Sequence, residues 1–183
     1  MIRVGALLLA FGAAVLLRVA VGGPAVAQSL TAGLVFAGCL TVVSVGARTQ
    51  VPLSRTAILA GLAGVLLVCF PVALEQLLTF RPLHGTNGFV TWALVVTVVA
   101  TSEEVFLRGT LYDAVESWAG AVAAISIGAI CFALLHVPLY GWHVLPLDLA
   151  VGLVLGGLRQ STGTPAAPAI THVGADLVGW FFR

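Results

Sequence analysis

Residues 101–109, TSEEVFLRG, place two adjacent carboxylates and an arginine inside a strongly apolar chain. Glu104 and Arg108 are four apart with the acid on the N-terminal side, the favoured arrangement for an ion pair on one helix face. Glu103 projects about 100° away around the same helix and has no obvious local partner there, which leaves it as the carboxylate available for chemistry. Two further polar pairs repeat the four-residue spacing. FALLH sets Phe132 and His136 on one face, and HVGAD sets His172 and Asp176 on another. Four of the seven acids, Glu103, Glu104, Asp113 and Glu116, fall within fourteen positions.

Blander readings exist for each group. Thr101 to Glu104 has the form of a capping box that would open a helix and leave both acids at a wet interface. Asp113 and Glu116 approach a helix end beside Trp118 and are assigned no role. A single buried histidine is usually a satisfied core residue, but two of them beside an unpaired Glu103 favour a site. His84 and His143 fall in predicted loops. Cys131 and His136 are five apart, about 140° around a helix, so they do not form a nucleophile–base pair without a break.

The elements that must carry these residues follow from composition. Of 183 residues 60% are hydrophobic and 8% charged, and the mean hydropathy is +1.13. A soluble domain carries about a quarter charged residues, so the chain reads as a membrane protein. A charge in mid-membrane costs on the order of 2.5–3.5 kcal/mol unless it faces a cavity or a partner. Eight arginines, no lysine and seven acids leave no excess charge to suggest nucleic acid or another polyanion. Cys39, Cys69 and Cys131 show no metal or redox spacing and read as small core residues.

The expected fold is all-α, a polytopic transmembrane bundle of about seven helices in one integral domain, residues 1–183. The apolar blocks run Val4 to Val21, Leu30 to Ala47, Thr56 to Leu74, Phe89 to Trp118, Ala119 to Val137, Val144 to Leu158 and Pro165 to Phe182, separated by Gly, Pro and polar breaks. Trp92, Trp118, Trp142 and Trp180 lie near predicted ends, as an interfacial belt would place them. Gly152 and Gly156 allow close helix approach. The first block, with Arg3 and AVAQ ending at Gln28, imitates a cleavable signal sequence. Arg18 interrupts that pattern, and the block is read as a retained span. Arg3, Arg48, Arg55 and Arg159 share one side if seven helices alternate, against Arg81 and Arg183, which puts the N-terminus in the cytoplasm.

EEVFLRG, FALLH and HVGAD, in this order on successive membrane helices, resemble the EExxxR, FxxxH and HxxxN/D motifs of the CPBP family. That family includes Rce1-type CAAX prenyl proteases and bacterial Abi relatives, which are intramembrane endopeptidases. The resemblance covers about residues 89–180, and the first three helices carry no matching motif. It implies an intramembrane catalytic cavity in which Glu103 activates water, His136 helps to hold it, and His172 and Asp176 stabilise the oxyanion. Glu104 and Arg108 would be the supporting ion pair, and Phe132 a packing residue. Hydrolysis of a peptide bond needs a base for water, an acid for the leaving amine and donors toward the oxyanion, and one carboxyl can serve as both base and acid. The family more commonly has asparagine where this chain has Asp176. An ionised Asp176 cannot donate, so it would be protonated, orient His172, or bind a metal.

No cofactor is expected. The alternative is zinc held by Glu103, His136, His172 and Asp176, a plausible set of nitrogen and oxygen ligands. A proton- or ion-coupled transporter would also use buried carboxylates and histidines, and a silent scaffold is a third reading, opposed by the intact Glu103, His136 and His172. The expected partners are the lipid bilayer and a membrane-associated peptide or C-terminally anchored protein. Richness in Ala, Val and Gly without lysine suggests a GC-rich bacterial genome, and so the inner membrane, where prenylated substrates are not expected.

Overall fold

The computed structural model describes residues 2–79 and 85–182. Arg81, His84 and Arg183 lie outside them. Among the described residues there is no strand. The chain runs through α1 (Ile2–Gly22), α2 (Leu30–Gly46), α3 (Arg55–Thr79) and α4 (Phe89–Glu104), then a π-helical stretch (Val105–Leu111), α5 (Tyr112–Tyr140), α6 (Leu145–Thr162) and α7 (Ala166–Gly179). The Ser29 hydroxyl caps α2 by accepting from the Ala32 N–H at 3.2 Å, and Ser54 does the same for α3 through Ala57 at 3.0 Å.

Counted by continuity, these residues make six helical segments rather than about seven. The difference is the stretch Phe89–Tyr140, helical over 52 residues. A straight helix of that length would reach about 78 Å, far beyond a hydrocarbon layer of roughly 30 Å. It does not run straight. Gly120 sits at φ 83° and ψ 172°, a conformation open to glycine but not to residues with a Cβ. Past it the chain folds back: the Arg108 guanidinium lies 4.9 Å from the centre of the Phe132 ring. The predicted boundary between Trp118 and Ala119 is therefore a sharp turn within one helical segment. The capping box is absent for the same reason, since Thr101 to Glu104 lie at the end of α4, far from its start at Phe89.

Four of the helical stretches are long and apolar enough to cross a membrane, namely Arg3–Ala25, Arg55–Thr79, Phe89–Tyr140 and Trp142–Thr162. The bundle is apolar outside and polar within. Leu9, Leu66 and Val122 are more than 70% exposed, whereas Glu103, Glu104, Arg108, Thr171 and His172 are buried. That distribution suits a lipid surround. Close approach of α6 to α5 rests on Gly152 and Gly156, as their spacing predicts: a Cβ on Gly152 would meet Ala129 Cα at 2.8 Å. On the other side α1 packs Val4, Leu7, Phe11 and Ala14 into the core, with Phe11 stacked on Phe106 at 5.6 Å. Cys39 and Cys131 pack against this core, and all three cysteines are free and half-buried.

Candidate active site

The site starts where α4 gives way to the π-helical turn. A π-helical turn is wider than an α-turn and recurs at functional sites. Here it carries Arg108 back toward Glu104, whose Oε1 accepts from Arg108 Nη1 at 2.8 Å. The second guanidinium arm donates to the Gly152 carbonyl at 3.2 Å, and the Phe132 ring covers its face. The pair is sealed, with side-chain exposures of 1% and 0%.

From α7, His172 Nδ1 lies 2.9 Å from the same Glu104 oxygen. Because that carboxylate also takes the Arg108 proton donor, it acts as an acceptor, and the His172 Nδ1–H donates to it. His172 Nε2 then faces Asp176, 3.6 Å away and one helical turn on. From α5, the His136 Nδ1–H donates to the Phe132 carbonyl at 2.9 Å, which leaves the neutral ring's Nε2 as an acceptor. Phe132 lies between the two imidazoles, its ring centre 4.6 Å from His136 and 5.2 Å from His172. It is more than a filler, since one ring touches both histidines and Arg108.

Glu103 points the other way, into a cavity of about 600 Å³ whose lining includes Arg18, Glu103, His136, His172, Asp176 and Tyr140. Trp92 and Trp180, 4.7 Å apart, line it too. Only Trp118 and Trp142 of the four predicted belt residues are exposed at 52% and 72%. Gln28 and Gly88, next to helix ends, also line the cavity. Thus Glu103, His136, His172 and Asp176 share one cavity, while Glu104, Arg108 and Phe132 are buried and do not line it.

Two features differ from the sequence reading. Glu103 is not unpaired: Arg18 Nη1 lies 3.3 Å from its Oε1. The partner comes from α1, 85 positions away, so no spacing rule could find it, although an arginine in an otherwise apolar block was itself a signal. Asp148, in the first turn of α6, brings an oxygen to 3.8 Å from His136 Nδ1 and was missed because no motif surrounds it. Asp113 and Glu116 serve structure, Asp113 by accepting from Arg159 at 2.7 Å and Glu116 from the Tyr112 hydroxyl. Tyr112 also bonds Gln160. Cys131 is not among the residues that line the cavity.

Among the described residues no three His, Cys, Asp or Glu side chains group as a metal site; the His172 Nδ1–H held by Glu104 leaves Nε2, a usual ligand atom, facing Asp176.

A family model described as type II CAAX prenyl endopeptidase Rce1-like matches residues 85–178, half of the chain and the part that carries all three motifs. No curated protein and no solved structure matches.

Proposed function

Because the chain belongs to the Rce1-like family of type II CAAX prenyl endopeptidases, we propose that it hydrolyses a peptide bond of a membrane-associated substrate with a water activated by Glu103 and His136. The observation that carries this reading is the single cavity shared by Glu103, His136, His172 and Asp176, with the Glu104–Arg108 pair closed off behind it.

Water sits between the Glu103 carboxylate and the His136 Nε2 lone pair. As its oxygen bonds to the substrate carbonyl carbon, Glu103 takes the proton. The same carboxyl returns that proton to the amide nitrogen as the C–N bond breaks, leaving a carboxylic acid and an amine. His172 is fixed by Glu104 on one side and Asp176 on the other. The 3.6 Å approach of Asp176 supports a role in orienting His172 rather than in donating to the oxyanion. Apolar walls and two tryptophans in the lining suit an extended, hydrophobic segment such as a C-terminal membrane anchor in a bacterial inner membrane.

The test is cleavage of anchored peptides by the purified protein in proteoliposomes. Wild type cleaves, and Glu103→Gln loses on the order of 10²–10⁴ in kcat, the usual worth of a general base. His136→Ala falls in the same direction. Activity that survives chelator supports the carboxylate mechanism, whereas activity abolished by chelator and restored by zinc establishes the metal form instead. Ion flux without any cleavage would establish a transporter.

A further inference from the structure

The geometry points to Arg18 as a catalytic residue: a guanidinium delivered by α1 that holds the charge developing on the substrate carbonyl oxygen. This rests on the endopeptidase reading and goes beyond the three motifs, none of which includes α1.

An oxyanion needs donors, and those of the residues first expected to supply them are already engaged. His172 gives its Nδ1–H to Glu104, and its Nε2 faces the Asp176 carboxylate 3.6 Å away, which competes for any proton it carries. Asp176 is a carboxyl group with no donor in its ionised form. His136 commits its Nδ1–H to the Phe132 carbonyl. Arg18 is the one arginine among the residues lining the cavity, and a guanidinium keeps its charge and all five N–H groups throughout.

Its placement fits the task. Arg18 is 8% exposed although it projects from an apolar helix. The Phe36 ring supports it at 5.0 Å from Cζ, and Nη1 reaches Glu103 at 3.3 Å. Its Nε is buried with no acceptor among the described residues, so the guanidinium keeps a donor to give. A carbonyl attacked by water on Glu103 must lie within about 3 Å of that water, in the shell that Arg18 already occupies. When water adds, the C=O π pair moves onto oxygen beside the guanidinium. When that pair re-forms the carbonyl, the C–N bond breaks and the nitrogen leaves with the proton that Glu103 held. Largely surrounded by protein, such a charged donor acts more strongly than it would in bulk water.

The probe is a lauroylated alanyl-alanine phosphinic peptide, whose tetrahedral –PO₂–CH₂– unit replaces the scissile amide and copies the oxyanion. Binding is read in nanodiscs from tryptophan fluorescence, since Trp92 and Trp180 line the cavity. Wild type binds the probe, Arg18→Met binds on the order of a hundredfold more weakly, and Arg18→Lys recovers part of the loss; Arg18→Met melts lower because Glu103 loses its buried partner, so affinities are compared at a temperature where all three remain folded. Equal affinity in wild type and Arg18→Met overturns the assignment, as does a wild type that fails to bind. Hydrolysis measured on the same samples separates the two ideas. Cleavage by wild type with probe affinity indifferent to position 18 overturns this inference alone. Probe binding that depends on Arg18 without cleavage of any peptide keeps the anion site and overturns the endopeptidase reading.

Discussion

Glu104 and Arg108 show how much a single buried charge constrains. One Glu104 oxygen accepts from both Arg108 and His172, and Arg108 in turn holds the Gly152 carbonyl. Removing one member strands the other in a dry interior, which costs about 3–5 kcal/mol. Glu104→Gln and Arg108→Met are each expected to lower the melting temperature in detergent sharply. The double variant Glu104→Gln/Arg108→Met should recover part of that loss, because no charge is then left alone. Equal or additive losses would show that the pair does not act as a unit. The i,i+4 spacing made this pair legible in the sequence. What spacing could not show was that His172 binds the same oxygen, since the two lie 68 positions apart.

Helix α6 positions the site without carrying a motif. Its Gly152 both accepts from Arg108 and lets the backbone approach Ala129 of α5. Gly152→Leu should therefore force α6 off α5, cost roughly 1–3 kcal/mol as overpacking does, and lower cleavage by loosening Arg108. Gly157, five residues along the same helix, has open space where a Cβ would go. Gly157→Leu should melt and cleave like wild type, and a loss equal to that of Gly152→Leu would show that α6 tolerates no bulk anywhere. The seven apolar blocks lie close to the bounds of α1 to α7, though only four helical stretches have spanning length and hydropathy, since apolar runs and their breaks are local properties. The fold-back at Gly120 kept its place but not its form, because helical hydrogen bonding resumes at once after one residue with positive φ.

At the level of the whole molecule the distribution of polarity decides what is wet. Leu66 is 74% exposed and yet belongs to the apolar exterior of α3, whereas Val95 lines the cavity with Glu103. With the three free cysteines replaced by serine, Val95→Cys should react with a water-soluble maleimide in proteoliposomes and Leu66→Cys should not, since a thiolate forms only where water reaches it. The reverse pattern would place lipid where the cavity is and water on the outer face.

The sequence by itself determined a membrane-spanning helical bundle and the one-turn pairs Glu104/Arg108, Phe132/His136 and His172/Asp176, because hydropathy and i,i+4 spacing are written in consecutive residues. Only the tertiary structure decided that Arg18 meets Glu103, that Asp148 approaches His136, and that His172 gives its Nδ1–H to Glu104. Those contacts depend on which helices pack together and at what depth, and the packing of apolar spans is set by small residues and buried charges spread along the whole chain.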